Sequence, residues 1–235
     1  MLKKNKKWET ILKIESTTNR TCFECNHLFS GQNNMLHQLA ESLGSAIDAK
    51  DPYTSLHSEE VAEISFTIAM SMGFSQKDAD IIHVAGHLHD IGKIGVPDNI
   101  LQKRGPLSDE ECSHIKKHPE MGASILKPVD CLIESGVTEM VLYHHERYDG
   151  GGYPEGLKGH KIPMGARIIS LADALSAILQ DRPYRLKQNF DEAVKEIERC
   201  SGTQFDPIVV KAFIKIKEVV RSYFYQINDF RVNSD

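Results

Sequence analysis

The chain has 235 residues, 40% of them hydrophobic and 26% charged, with a formal net charge of -5. A chain of this size and composition buries a core without covalent staples, and its mildly acidic balance argues against a general nucleic-acid binder, so no DNA partner is expected. No apolar run approaches the roughly 20 residues of a membrane span, and the five cysteines do not suggest a disulfide framework. The basic start "MLKKNKKWETILKIE" has no long apolar stretch either, so a soluble, cytoplasmic protein is expected.

Residues 1–30 stand apart as an N-terminal extension with no recognisable domain. They carry a lysine cluster, a Thr/Asn-rich patch and the C-x-x-C pair Cys22 and Cys25, with His27 close by. A structural zinc takes four ligands, so the pair is read as incidental, with a small metal or redox element as the alternative. From Gln32 the spacing turns helical, and Leu36, Leu39, Leu43 and Ile47 predict a leading helix over 32–50. Pro52 breaks it. Thr54 or Ser55 can cap the next helix, and Gly73 ends that one. Ser75 and Ser108 are the caps expected for the helices that follow, the second with acids in its first turn. Further helical patterns cover about 134–146, 164–180, 190–200 and 206–225, with Gly/Pro loops at 91–106 and 147–163 and a tail at 226–235. Alternating strand patterns are nearly absent, so the fold class is all-α.

The chemistry concentrates in "HLHDIGKIGVPDNIL". His89 and Asp90 sit side by side at a helix end, and imidazole with carboxylate suits Fe, Mn, Zn or Ni. Taken alone, such a pair is common. Asp173 lies in the otherwise apolar "RIISLADALSAI", and burying a carboxylate there costs several kcal/mol unless it is paired or bound to a cation. His57 lies near a helix start, His118 ends "HIKKH", and His144 and His145 precede the glycine-rich "YDGGGYPEGLKG". Polar residues on five separate helices can meet at one point in a bundle.

From Asp51 to Phe213 the chain resembles the HD superfamily of metal-dependent phosphohydrolases, and more closely the HD-GYP family of bacterial cyclic dinucleotide phosphodiesterases. The segments that carry the resemblance are "DPYTSLHS", "HLHDIGKIGVPDNIL", "HPEMGASIL", "HHERYDGGGYPEGLKG", "ARIISLADA", "DRPYR" and "GTQFDP", in the family's order and spacing. The resemblance implies an HD-type helical bundle over 31–225, with the GYP loop lying over a metal site. It also implies ligand roles: His57, His89, Asp90 and Asp173 for a first metal, and His118, His144 and His145 for a second, with Asp90 bridging. The cofactors it implies are two divalent ions, Fe or Mn first and Ni or Zn as further candidates. The nucleophile would be a metal-bridging hydroxide attacking phosphorus.

The same resemblance makes Asp90 and Lys93 the catalytic pair. Lys93, Arg182 and Arg185 would contact substrate phosphates, and Tyr153 would stand at the guanine end. Some members bind a third metal through a Glu one helical turn before the first His. That position is Tyr53 here, so two metals are expected. His83, His87 and His114 are set aside as satisfied or surface histidines. The glycine loop follows a helix and lacks G-x-x-x-x-G-K-[ST], which argues against a phosphate-cradling loop. Its glycines are expected to supply positive φ and close backbone approach, and Asp149 to brace it.

The expected function is hydrolysis of cyclic di-GMP to linear pGpG, with GMP as the alternative end product, in bacterial second-messenger signalling. The alternatives are another cyclic dinucleotide such as cyclic GMP-AMP, and a weakly active module for binding or docking. A diguanylate cyclase or sensor partner, or a homodimer through helix 32–50, is the expected company.

Overall fold

The structure is a computed structural model and describes residues 31–51, 56–180 and 189–232. Among these the chain is helical, with no named strand, as the all-α expectation requires. In chain order the helices are α1 (Gly31–Lys50), α2 (His57–Ser71), α3 (Gln76–Leu88), α4 (Asp98–Leu101), α5 (Asp109–Ile115) and α6 (His118–Leu126). They continue with α7 (Asp130–Glu134), α8 (Val137–Tyr143), α9 (Met164–Leu179), α10 (Phe190–Arg199) and α11 (Pro207–Val232). Short 3-10 turns lie at Ile91–Gly95 and Gly159–Lys161. The tail expected from residue 226 is therefore still helical as far as Val232.

The core gathers around α2, α3 and α9. Val61, Ile64 and Ile68 of α2 and Ile82, Ala85 and Leu88 of α3 are buried with Ile168, Leu171 and Leu175 of α9. α9 is buried nearly all round, which is why its sequence reads as an apolar helix interrupted by one acid. Phe190 and Ile197 of α10 and Val209, Phe213 and Val220 of α11 extend the same core.

Local chemistry explains most helix ends. The Ser75 hydroxyl accepts from the Asp78 N–H, as expected of a cap. Ser108 and Glu111 form a reciprocal capping box at α5. The helix expected after Ser108 is broken into α5 and α6. Pro119 is the second residue of α6, in the first turn, where its missing N–H costs nothing. The caps expected for α2, Thr54 and Ser55, lie outside the described residues together with Pro52. Leu56 occupies the N-cap position with φ 63° and makes no side-chain cap. α1 takes over that role: Asp48 accepts from the Ser58 N–H at 3.0 Å and from the Ser58 hydroxyl at 2.9 Å.

α1 buries a different stripe from the one its leucines suggest. Ala40 and Ile47 are buried, whereas Leu39 and Leu43 are 54% and 44% exposed. A side chain at Gly44 would lie 2.7 Å from the His87 carbonyl oxygen and 2.9 Å from the Ser58 Cβ. The smallest residues of α1 thus set the contact with α2 and α3, and the large ones are left outside.

Candidate metal centre

Five elements converge on one point. His57 is the first residue of α2, His118 the first of α6, and Asp173 stands inside α9. His89 and Asp90 follow the last residue of α3, and His144 and His145 follow the last of α8. The Asp90 carboxylate lies at the middle. Its Oδ2 is 3.3 Å from His89 Nε2 and 3.8 Å from His57 Nε2. Its Oδ1 is 3.2 Å from His118 Nε2. Asp173 closes the other side, with Oδ1 at 3.2 Å from His57 Nε2 and Oδ2 at 4.0 Å from His145 Nδ1. All seven residues are brought together, and they hold two groups of possible metal donors: His57, His89 and Asp90, and His118, His144 and His145.

The ring orientations are fixed from behind. His89, His118 and His144 each donate from Nδ1 to the carbonyl oxygen three residues earlier: Gly86 at 2.7 Å, Ile115 at 2.8 Å and Val141 at 2.7 Å. A carbonyl only accepts, so each Nδ1 carries a proton, and in its neutral form each ring turns an Nε2 lone pair inward. His57 is held differently. The Ser176 hydroxyl donates to Glu60 Oε2 at 2.7 Å and so accepts from His57 Nδ1 at 2.9 Å. Gln180 Nε2 donates to the same Glu60 oxygen at 2.8 Å.

The result is a set of acceptors facing acceptors. His118 Nε2 and His144 Nε2 are 3.3 Å apart. A neutral His57 turns its lone pair toward Asp173 Oδ1, and the buried His89 Nε2 makes no well-directed hydrogen bond. Such an arrangement is costly in a protein interior unless positive charge lies between the partners. The donor set therefore fits a bound cation.

Without an ion, a proton on His89 supplies part of that positive charge. Burial would lower His89, but the neighbouring Asp90 carboxylate outweighs it and holds its pKa up at about 9. Burial would likewise raise Asp90, yet Lys93 and His89 hold it well below the usual carboxylate range. Asp173 is kept low against burial by His57, His89 and His145. Burial, with repulsion from His145, His89 and His118, pushes His144 far down, and burial drives His145 to about 3. The two carboxylates are thus ionised and His144 and His145 neutral, as a metal requires of its ligands, whereas His89 gives up its proton when an ion binds.

Lys93 projects from the 3-10 turn, with Nζ 2.6 Å from Asp90 Oδ2 and 3.7 Å from Asp51 Oδ2. Tyr153 lies over the centre, its ring centroid 4.9 Å from that of His145. Its peptide bond to Pro154 is cis. A side chain at Gly152 would run into the Arg147 nitrogen and come within 2.6 Å of Glu146 Cα, so only glycine brings Tyr153 this close. Gly150 supplies the expected positive φ, 88°. Asp149 braces the loop by accepting from Arg147 and from the Gly151 N–H. Arg182, Arg185 and Tyr53 lie outside the described residues, as do Cys22, Cys25 and His27.

Sequence reasoning missed the Glu60–Ser176–Gln180 group, whose members give no motif. It also set His83 and His87 aside, whereas the structure buries both and joins them with His37 into a further group of possible metal donors. Their i, i+4 spacing is a visible signal, but the third ring comes from another helix. His114 is exposed, as expected.

The model of the HD domain family matches residues 41–209, and the chain belongs to that family. Among curated proteins, a cyclic di-GMP phosphodiesterase of Thermotoga maritima is 38% identical over 201 residues, covering 86% of this chain and 55% of its own length. The cyclic di-GMP phosphodiesterase response regulator RpfG of Xanthomonas campestris is 38% identical over 174 residues, covering 74% of this chain and 46% of its own. The chain spans about half the length of these curated relatives. Among solved structures, a cyclic GMP-AMP-specific phosphodiesterase of Vibrio cholerae matches with a TM-score of 0.61 at 20% identity, covering 78% of this chain and 49% of that one, a likeness of fold. Among the described residues, no helix is long and apolar enough to cross a membrane.

Proposed function

We propose that the chain is a metal-dependent phosphodiesterase that hydrolyses cyclic di-GMP to linear pGpG and on to GMP. One observation carries the reading: Asp90 turns one carboxylate oxygen to His57 and His89 and the other to His118, so that it joins the two donor groups. This supports a pair of divalent ions, with His57, His89, Asp90 and Asp173 holding one, and Asp90, His118, His144 and His145 the other. Mixed imidazole and carboxylate donors suit Fe or Mn, with Ni or Zn as lesser candidates. When bound, such ions activate water for attack on phosphorus and offset the charge of the departing oxygen.

The chain's own residues do the rest. The carbonyls behind His89, His118 and His144, and Ser176 behind His57, keep each ring in one tautomer and one orientation. Lys93, held by Asp90 and Asp51, supplies an ammonium for a substrate phosphate once an ion takes its place at Asp90. Arg182 and Arg185 are proposed for the same anion on their resemblance alone. Tyr153 offers a face on which a guanine can stack. The curated relatives named as cyclic di-GMP phosphodiesterases favour that substrate over cyclic GMP-AMP.

The test is direct. The full chain, loaded with Mn or Fe under reducing conditions, is given cyclic di-GMP and cyclic GMP-AMP side by side, and products are separated by chromatography. Linear pGpG is expected from the first at a clearly higher rate. Tight binding with no linear product would refute the enzyme reading in favour of a binding module, and faster cleavage of cyclic GMP-AMP would reassign the substrate.

A further inference from the structure

His37, His83 and His87 form a group apart from the centre described above. His37 projects from α1, and His83 and His87 stand one turn apart on α3, with one nitrogen of each ring within 4.8 Å of the others. His83 stacks on His37 at 4.8 Å between centroids, and His87 meets their edges at 4.7 and 5.8 Å. His83 and His87 are both buried. The α-helical repeat turns His87 to the side of α3 opposite His89, so the two sites share no residue.

Negative charge surrounds the trio. Glu63 of α2 places Oε1 3.6 Å from His83 Nε2. Asp80 lies one turn before His83 on α3 and Glu41 one turn after His37 on α1, and both act electrostatically on His37, as does Glu63. Asp80 Oδ2 is buried and has no hydrogen-bond partner. Among the described residues, no hydrogen bond holds the ring nitrogens of His37 or His87, unlike the tied rings of His89, His118 and His144. Ring nitrogens without hydrogen bonds, beside a buried carboxylate oxygen that has no partner, suit a cation.

We infer that His37, His83 and His87, with Glu63 as the fourth donor, form a second metal site that takes Zn2+. Imidazole nitrogen and carboxylate oxygen are both zinc ligands, and three imidazoles with one carboxylate would fill all four tetrahedral positions and leave none open. Zinc–nitrogen bonds of about 2.0–2.1 Å bring tetrahedral donors to about 3.3 Å apart. An ion must lie in the plane of every ring that binds it, so closing the trio from within 4.8 Å requires the ring of His37, half-buried at the edge of α1, to turn out of its stack on His83.

The ion would tie α1 to α2 and α3, and α1 braces the catalytic centre at both ends. Its Asp48 holds the start of α2 beside His57. Its Lys50 Nζ donates to the carbonyls of Lys93, Ile94 and Val96 in the turn after Asp90, at 3.1, 2.9 and 2.8 Å. The site is therefore structural and separate from the proposed chemistry.

The full chain, its His37→Ala variant and its Asp90→Ala variant are each loaded with Zn2+, freed of loose metal by gel filtration and analysed for zinc, with melting temperature measured alongside. His37→Ala should hold one zinc fewer than the unmodified chain and keep Mn-supported phosphodiesterase turnover. Asp90→Ala should lose zinc at the centre, keep the zinc bound by His37, and still melt higher with zinc than without. Glu63→Gln, which preserves shape, should weaken this zinc about tenfold or more, and it serves where His37→Ala does not fold. Equal zinc in the unmodified chain, His37→Ala and Glu63→Gln would overturn the site. Because these readouts are zinc content and melting temperature, they stand whatever the outcome for cyclic di-GMP hydrolysis.

Discussion

Four of the five elements that feed the Asp90 centre present their side chains from a helix end, whereas His37 and His83 stand inside helices and His87 lies in the last turn of α3. The difference shows in how the rings are held. At a helix end the last carbonyls have no partner further along the helix, so His89 and His144 can bond back to Gly86 and Val141. A ring in a helix interior finds its own carbonyls already used, and His37 and His83 stack on each other, with His87 meeting their edges. The Asp90 centre is thus preorganised, and the α1–α3 trio still has to turn inward to bind.

The comparison is sharpened first by removing the support and leaving the donors. Ser176→Ala deletes the hydroxyl between His57 and Glu60, and metal affinity at the centre should fall about 10–100-fold with the fold intact. Calorimetric titration of Mn2+ checks this, and unchanged affinity would mean that His57 needs no such support. Gly152→Ala comes next. The added carbon meets the backbone of Glu146 and Arg147, so stability should drop by about 1–3 kcal/mol and the loop should carry Tyr153 away from His145. Chemical denaturation and KM for cyclic di-GMP would both report it.

The gentlest lever is pH. In the metal-free chain, Asp90 raises the His89 pKa from 6.5 to about 9. A raised pKa contributes stability that is complete below about 6.5 and is lost as pH climbs through about 9. The metal-free chain should therefore melt progressively lower across that window. An ion must displace the His89 proton, so metal binding should release protons and tighten over the same range. Melting curves at pH 6, 7.5 and 9, with and without Mn2+, would show the two trends diverging. Parallel curves would remove His89 from the centre.

The same contrast explains what could be read in the sequence. The Asp90 centre is written in contiguous pieces such as "HLHD" and "YHH", each closed by a helix break, and the family resemblance pointed to the seven residues that the structure brings together. Glu60 and Ser176 lie 116 positions apart and meet only through the packing of α2 on α9. In α1 the leucine spacing suggested one face, yet Ala40 and Gly44 decide the contact because backbone approach depends on the smallest side chains. That face also sets His37 against His83 and His87, a meeting of two helices that no contiguous segment spells out. The place of the GYP loop over the site came from the family resemblance, and the structure adds why it fits: Gly152 leaves room for the backbone of Glu146 and Arg147.

The central claim is that Asp90 joins two ions that carry out the hydrolysis. It is tested most directly in the His37→Ala chain, where the α1–α3 trio no longer contributes metal. Loaded with Mn2+, this protein should hold two ions per chain by elemental analysis and convert cyclic di-GMP to pGpG. Adding Asp90→Ala should remove bound metal and lower turnover by more than about a hundredfold, beyond what loss of a supporting residue alone produces. Two retained ions and full turnover without the Asp90 carboxylate would contradict the account.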